Sequence, residues 1–272
     1  MTDTSAAASS RQPTLYLPHG GGPCFFMTWS PPDEWDLMAE WLRSIATTLP
    51  SRPRALVVIS AHWEAGPVTV LTGAAPPLLY DYFGFPPDTY EITYPAPGDP
   101  ALATRVQELL GAAGIPTAAD ADRGFDHGVF IPLKLVFPEA DIPIVQVSLE
   151  AGLDPAHHLA IGAALAPLRD EGVLIVGSGM SYHNMQAFGS GPSLTDSDEF
   201  DEWLGRVVRL PGAERVAALT SWESAPSARS AHPREEHLLP LMVVAGAANG
   251  DEGRKVFTDR VMSATVSGVQ FG

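Results

Sequence analysis

Apolar residues occur along this chain in short runs that alternate with longer stretches of helical spacing. The short runs are rich in β-branched residues and nearly continuous in apolar character: 14–18, 55–60, 68–71, 142–149 and 173–178. Strands of this composition are usually covered on both faces by other parts of the fold. These segments therefore predict a sheet that is buried between two layers.

The stretches between these runs carry apolar residues at helical spacing. In the first stretch the following residues share one helix face: Trp35, Met38, Leu42, Ile45 and Leu49. Further helices are predicted at 100–114, 154–172, 197–210 and 233–248. Pro240 is expected to kink or divide the last of them. The alternation of strands and helices predicts an α/β fold with a central, largely parallel or mixed sheet that is flanked by helices.

The chain of 272 residues has room for one large domain or two small ones. The Pro-rich stretch 75–100 contains too many aromatic residues for a flexible linker, and we interpret it as an ordered loop inside a single domain. The first segment, 1–13, has neither a basic start nor an apolar centre. It predicts a short disordered lead rather than a signal peptide, followed by one domain over 14–272.

The charge of the chain limits its partners. Its formal net charge is −16, from 16 basic and 32 acidic residues, and such a field repels nucleic acids and anionic membranes. No apolar run approaches the length of a membrane span. The single cysteine, Cys24, permits no internal disulfide and suits a reducing cytoplasm. We therefore expect a cytoplasmic monomer or homodimer that binds neither nucleic acid nor membrane.

Three of the eight histidines follow predicted strands. His19 follows TLYLP, His62 follows ALVVISA, and His183 follows VLIVGSGMSY. Ligands of open α/β sheets bind beyond the carboxyl ends of the strands, so these imidazoles are expected to converge there. Imidazole binds Zn, Fe, Cu and Ni and transfers protons near neutral pH. The pattern predicts a mononuclear metal site with further histidines for acid–base chemistry.

The remaining histidines differ in their expected roles. His232 and His237 are five residues apart at the start of the last predicted helix, so only one of them is expected to face the site. His127 is expected to be a positioned loop histidine. His157 and His158 are adjacent on a helix and are expected to be surface or packing residues.

Six sequence blocks, taken in order, resemble a known family: LPHGGGP, VVISAHWE, YDYFGFPPDTYEITYPAPGDPALA, RGFDHGVFIPLKLVFPEADIPIVQVSL, LIVGSGMSYHN and HPREEHLLPLMVVAGAA. Together they are similar to the class III extradiol ring-cleaving dioxygenases, in the 4,5-DOPA dioxygenase subgroup. The likeness runs from about Leu15 to the end of the chain. It implies a single α/β catalytic domain with a non-haem metal at the carboxyl ends of the strands.

The resemblance also implies roles for individual histidines. His19, His62 and His237 match metal ligands of the family. His183 matches a histidine at the metal that is either a ligand or an acid–base catalyst. His127 matches a histidine that lies outside the metal ligands and faces the substrate.

The identity of the third ligand and of the metal stays open at this point. Non-haem Fe(II) oxygenases commonly use two histidines and one carboxylate, and Glu236 directly precedes His237. Glu236 is therefore the alternative third ligand. Fe(II) is expected for activity, and Zn(II) is an alternative because a site made only of histidines would hold it well.

The implied reaction is the cleavage of a catecholic ring, DOPA-like or another dihydroxyphenyl compound, with O2 to give a muconic semialdehyde. Aromatic side chains of the Pro-rich stretch are candidates for the substrate pocket: Tyr80, Tyr82, Phe83 and Tyr94. Two alternatives are a zinc-dependent hydrolase that uses the same ligands to activate water and a non-catalytic metal-binding homologue. The presence of histidines at all five matched positions disfavours the latter.

Overall fold

A mixed sheet of eight strands forms the centre of the computed structural model, which describes residues 11–272. The strands are β1 (Thr14–Pro18), β2 (Ala55–Ala65), β3 (Val68–Leu71), β4 (Thr117–Asp120), β5 (Ile144–Glu150), β6 (Val173–Gly179), β7 (Gly253–Val261) and β8 (Ala264–Phe271). Their order across the sheet is β4-β3-β5-β2-β6-β1-β8-β7. The four central strands β5, β2, β6 and β1 are parallel, so their carboxyl ends meet at one edge.

Helices flank this sheet. They are α1 (Asp36–Thr48), α2 (Pro100–Ala112), α3 (His127–Val136), α4 (Pro155–Leu165), α5 (Gly191–Val207), α6 (Gly212–Thr220), α7 (Ala228–Ala231) and α8 (Leu239–Ala247). Short 3₁₀ helices occur at Cys24–Phe26, Pro87–Glu91, Ala166–Arg169 and Trp222–Ser224. No helix of the described residues is long and apolar enough to cross a membrane.

Two neighbouring residues of β6 show that the sheet is covered on both faces. Gly177 lies against α8, because a Cβ atom at this position would be 2.4 Å from the carbonyl oxygen of Pro240. The hydroxyl of Ser178 donates to the carbonyl of Gly128 in α3. Successive residues of a strand point to opposite faces, so α8 and α3 cover opposite faces of the central strands.

The fold class predicted from the sequence is confirmed: the structure is an α/β domain with a mixed sheet. All five predicted strands are present, and β2 extends to Ala65. The pattern does not predict β4, β7 and β8, nor the helices α3, α6 and α7. His127 is the first residue of α3 rather than a loop residue.

The prediction for the last helix is wrong in two respects. Residues 233–238 form turns rather than helix, and α8 begins at Leu239. Pro240 therefore lies in the first helical turn, where its missing N–H removes no hydrogen bond and its φ suits the helix. It starts the helix instead of kinking it.

The expected disordered lead 1–13 falls largely outside the described residues, which begin at Arg11. Within the described part, Gln12 is buried. Its backbone N–H donates to the carbonyl of Arg169 (3.1 Å), and its side-chain amide donates to Ser51 Oγ (2.8 Å). These contacts join the start of the described chain to the body of the domain.

Close contact between α4 and α8 generates a stability prediction. A Cβ atom at Gly162 would be 1.9 Å from the carbonyl oxygen of Val243, so Gly162→Ala is expected to push the helices apart and lower the free energy of unfolding by about 2 kcal/mol. Gly111 in α2 has nothing within 4 Å of such an atom. Gly111→Ala is the control and should be neutral or stabilising by up to about 1 kcal/mol. Urea unfolding followed by circular dichroism measures both, and equal effects would contradict the contact.

Candidate metal centre

Five histidines lie together at the edge where the central parallel strands end: His19, His62, His127, His183 and His237. His19 directly follows β1, and His62 lies in the last part of β2, between Ile59 and Glu64, where the pairing with β5 shifts register. His183 follows β6 after a short turn. The predicted convergence of strand-end histidines is present in the structure.

The imidazole rings are close enough to share one ion. The Nε2 atoms of His19 and His62 are 3.2 Å apart. Ring centroids are 4.0 Å apart for His62 and His127, 4.9 Å for His62 and His237, and 3.3 Å for His183 and His237. The five rings therefore form one continuous cluster.

The glycine run after His19 explains how this imidazole enters the cluster. The His19 N–H donates to the carbonyl of Gly179 at 3.1 Å, which holds it beside the end of β6. Gly20 then has φ +82°, and a Cβ atom there would be 2.3 Å from Cys24 Sγ. A positive φ and this close approach both require glycine. The run therefore lines the cavity without side chains and brings Cys24 into the core.

His237 reaches the cluster from the turn before α8. Its carbonyl accepts hydrogen bonds from Tyr16 Oη (2.7 Å) and from the Met180 N–H (3.1 Å). A Cβ atom at Gly179 would be 2.1 Å from the same carbonyl, so only glycine permits this approach. Contacts with β1 and β6 therefore fix the backbone that carries His237.

A buried carboxylate helps to fix the backbone positions of two of the histidines. Asp126 accepts hydrogen bonds from Ser60 Oγ (2.7 Å), from Arg123 Nη2 (3.2 Å) and from Gln146 Nε2. Ser60 Oγ in turn accepts from the His62 N–H at 3.2 Å. Burial raises the pKa of Asp126, and the hydrogen bonds from Ser60 and Gln146 offset part of that increase. Since all three side chains donate, the ionised carboxylate matches its surroundings.

Two further carboxylates orient the outer imidazoles. Asp81 Oδ1 accepts from His127 N at 3.0 Å and lies 2.8 Å from His127 Nδ1. Glu236 Oε1 lies 3.2 Å from His183 Nδ1 and 2.9 Å from His237 Nδ1. Each carboxylate favours a hydrogen on Nδ1 and leaves the lone pair on Nε2.

Hydrogen bonding also sets the charge of these carboxylates. Burial alone would raise the pKa of Asp81. The hydrogen bond from His127 and the electrostatic attraction of this nearby ring lower the pKa of Asp81 below its usual value. Burial likewise opposes ionisation of Glu236, and the hydrogen bond from His183 lowers its pKa overall. Both carboxylates are therefore anionic near neutral pH.

Burial keeps the inner imidazoles neutral. It lowers the pKa of His62 to about 3, with a further contribution from His127. Burial and the neighbouring His62 lower the pKa of His19 well below its usual value, and burial with His183 does the same for His237. Neutral imidazole is the form that binds a metal.

Unpartnered nitrogen atoms test whether these residues fit a metal. His19 Nδ1 and His237 Nε2 are buried, and neither has a hydrogen-bond partner within the described part of the chain. A buried imidazole nitrogen without a partner costs free energy. A divalent cation that binds the neutral Nε2 atom of His237 would remove this cost there, so the residues present fit a metal ion.

The structure offers two adjacent sets of ligands. Ring nitrogens of His19, His62 and His127 all lie within 4.8 Å of one another, and so do the ligand atoms of His183, Glu236 and His237. The first set contains His127 where the sequence analysis expects His237. The unpartnered Nε2 of His237 favours this residue as a ligand. His127 is instead hydrogen-bonded through its Nδ1 to Asp81, away from the other rings.

The other histidines do not join the cluster. His232 is buried between Phe200 and Trp222, with its Nε2 3.0 Å from the carbonyl of Ser181. His158 is buried rather than exposed, and its Nε2 accepts from the Glu150 N–H at 3.1 Å. These two histidines pack within the domain.

His157 also lies apart from the cluster. It is partly exposed, and its Nε2 lies 2.8 Å from Glu150 Oε2. It binds this carboxylate at the end of β5, which agrees with the surface or packing role expected from its position.

A cavity of about 810 Å³ opens onto the histidine cluster. Tyr82 and Phe83 line it, as the sequence analysis expects, but Tyr80 and Tyr94 do not. The hydroxyl of Tyr80 donates to the carbonyl of Ile92, and Tyr94 is 2% exposed. This corrects the substrate-binding prediction for both tyrosines, because they hold the Pro-rich stretch in place rather than face the cavity.

The sequence analysis does not predict several other lining residues. They come from the segment after the first 3₁₀ helix, from the Pro-rich stretch, from the loop after β6 and from the β7–β8 turn: Trp29, Phe85, Met185, Phe188 and Met262. No local pattern places these loops side by side. Asp81 and Asp126 are also absent from the predicted site, although Asp126 directly precedes His127 in the sequence.

Comparison with known proteins gives this site its context. Residues 13–272 match the family described as the catalytic LigB subunit of aromatic ring-opening dioxygenase. The chain belongs to this family. It is therefore an extradiol ring-cleaving dioxygenase of class III, with a non-haem metal, an aromatic substrate and O2 as co-substrate.

Individual relatives agree with the family. The chain is 39% identical to a protein named 4,5-DOPA dioxygenase extradiol from Beta vulgaris, over 86% of each chain. It is 37% identical to a protein of the same name from Escherichia coli K12, over 90% of this chain and 88% of that protein. A crystal structure of an uncharacterised protein from Escherichia coli K12 superposes with a TM-score of 0.80 at 33% identity, over 96% of this chain and all of that one.

Metal binding can be tested one histidine at a time. His19→Ala, His62→Ala and His237→Ala should each lose most of the bound metal, because each removes a neutral nitrogen from the cluster. His157→Ala is the control and should keep the metal, since this residue pairs with Glu150 outside the site. Elemental analysis of the purified variants measures their metal content. Full occupancy after His19→Ala or His62→Ala would contradict the site, and loss in Glu236→Ala but not in His237→Ala would make Glu236 the third ligand.

The buried carboxylate provides a separate test. Asp126→Asn places an amide N–H₂ against groups that all donate and leaves Arg123 without its charged partner, so the free energy of unfolding should fall by about 3 kcal/mol. Asp122→Asn is the matched control, because Asp122 is exposed, and its effect should stay within about 0.5 kcal/mol. Chemical denaturation compares the two variants. Wild-type stability of Asp126→Asn would show that the network is not needed.

Proposed function

We propose that this dioxygenase uses Fe(II) to cleave the ring of a catecholic substrate, DOPA-like or another dihydroxyphenyl compound, and releases a muconic semialdehyde. The observation that carries the proposal is the cluster of neutral imidazoles at the bottom of an aromatic cavity, with a carboxylate behind each outer histidine. The names of the relatives from Beta vulgaris and Escherichia coli support the same class of substrate.

His19, His62 and His237 hold the metal in this proposal. Bound Fe(II) would supply redox chemistry with O2 and would acidify the hydroxyl groups of the diol. Glu236 Oε1 lies within hydrogen-bond distance of the Nδ1 atoms of both His183 and His237. Glu236 therefore orients two imidazoles. It would act as the alternative third ligand only if it gave up its contacts with both rings.

His183 accepts the first phenolic proton. Its Nδ1 faces Glu236, so its Nε2 carries the lone pair, and its ring lies against that of His237 at 3.3 Å between centroids. This position is next to both the proposed metal and the cavity. Glu236 stabilises the imidazolium that forms, as an anionic partner favours the charged form of histidine.

His127 acts on the opposite side of the cluster. Its Nδ1 is held by Asp81 and its ring is 4.0 Å from that of His62. The Nε2 atom is then free to exchange a proton with substrate oxygen in the later steps of ring opening. Two histidines with separate carboxylate partners allow one to hold a proton while the other accepts one.

Aerobic turnover tests this assignment. The Fe(II)-loaded protein should consume O2 with a catechol and form a coloured ring-opened product. His127→Ala should keep its metal but turn over about 10²–10⁴-fold more slowly, because it lacks one acid–base group. His183→Ala should be slower still. An oxygen electrode and product absorbance measure the rates, with His157→Ala as a control that retains wild-type turnover.

A different result would favour the zinc hydrolase. Imidazole ligands without a carboxylate suit Zn(II), which activates water for hydrolysis. If the Fe(II) form takes up no O2 across a broad panel of catechols while the Zn(II) form hydrolyses esters or amides, the proposed reaction is wrong. Retention of metal without either activity would instead indicate a binding protein.

A further inference from the structure

The cavity is much larger than the ring that must reach the histidines. Its volume of about 810 Å³ falls in the range of about 300–1,000 Å³ that accommodates drug-sized ligands. Away from the histidines its wall is mainly aromatic and thioether in character, with side chains such as Trp29, Phe85 and Met262. Space and apolar surface therefore remain for a substantial group attached to the catechol ring.

The charged side chains that line this cavity are acidic. Glu64 and Glu236 belong to the lining, and among the described residues no lysine or arginine does. The nearest arginine to these acids, Arg234, is already engaged, since its Nη1 and Nη2 lie 2.5 and 2.6 Å from the two carboxylate oxygens of Glu64. Its Nη1 is also 3.4 Å from Glu236 Oε2. A substrate carboxylate in this part of the cavity would lie near two acidic side chains and one arginine whose charge is already neutralised.

Exposed apolar side chains surround the mouth of the cavity. Phe83 and Met185, which we call the rim, are 91% and 70% exposed and both line the cavity. They come from separate loops, before the 3₁₀ helix Pro87–Glu91 and after β6. Large apolar groups that are exposed together commonly mark a ligand-binding surface.

The size, charge and rim of the cavity together restrict the substrate. We propose that the substrate is a catechol with a large apolar substituent and no acid group, and that this substituent extends from the histidines to Phe83 and Met185. The inference rests on the proposed function for the position of the diol. It narrows the proposed substrates to dihydroxyphenyl compounds other than DOPA itself, whose side chain carries a carboxylate, because Glu64 and Glu236 select against an acid on the ring substituent.

Binding can be measured separately from turnover. The probes are 4-hexylcatechol, 6-(3,4-dihydroxyphenyl)hexanoic acid and 4-methylcatechol, titrated by anaerobic calorimetry into the Zn(II)-loaded protein. The hexyl compound should bind about tenfold or more tightly than the acid of equal chain length, because the carboxylate loses hydration near two acidic side chains. It should also bind about tenfold more tightly than the methyl compound, since it buries additional methylene groups.

Variants show whether the named residues cause these preferences. Phe83→Ser and Met185→Ser should weaken binding of the hexyl compound several-fold and leave 4-methylcatechol nearly unchanged. Leu37→Ser is the matched control, because Leu37 is 61% exposed but does not line the cavity. Glu64→Gln should tighten binding of the hexanoic acid several-fold, since it removes one acid and frees Arg234.

Each outcome decides the inference. Equal or tighter binding of the hexanoic acid by the unaltered protein overturns it, and so does a rim variant that weakens 4-methylcatechol as much as the hexyl compound. If Fe(II)-loaded protein consumes no O2 with any of the three probes, the proposed function fails. The calorimetric order of the probes still tests the selection for apolar, acid-free groups in that case.

Discussion

The buried carboxylate of Asp126 is the interaction on which the arrangement of the site depends. An ionised group without water must be surrounded by donors, and here the donors come from β2, from β5 and from Arg123. Ser60 extends this network to the backbone of His62, because its Oγ accepts a hydrogen bond from the His62 N–H at 3.2 Å. Asp126 also directly precedes the first residue of α3, which is His127. One carboxylate thus sets the separation of two imidazoles that lie 65 residues apart in the chain.

The packing of five imidazoles has an electrostatic consequence of its own. Burial lowers the pKa of His19, His62 and His237, and the repulsion between protonated rings at these separations lowers it further, so the three are held neutral. A cluster of buried neutral nitrogens lacks enough hydrogen-bond donors to satisfy itself, and unpartnered atoms remain on His19 and His237. The same features that disfavour protons leave lone pairs for a divalent cation. Asp81 supplies negative charge beside His127, and Glu236 supplies it beside His183 and His237.

The sequence predicts those parts of the site that depend on local pattern. His19 and His62 can be placed because a buried strand carries each to a sheet edge where parallel strands end together. Asp81 cannot be paired with His127 in this way, since they are 46 residues apart and only the folded Pro-rich stretch joins them. Strand β7 escapes prediction for a different reason. All of its residues except the first and last are exposed or partly buried, so it lacks a continuous apolar run and is defined by its pairing with β8.

The histidine cluster and the exposed side chains of the cavity differ in how firmly the fold holds them. The histidines are fixed by backbone contacts and buried hydrogen bonds, so a change at Gly179 or Asp126 disturbs the metal site and the core together. Phe83 and Met185 are largely exposed, and their replacement removes little packing within the domain. Selection for a different ring substituent can therefore arise at the mouth of the cavity at small cost to stability. A dioxygenase centre of fixed geometry is consequently compatible with preferences for ring substituents of different charge and size.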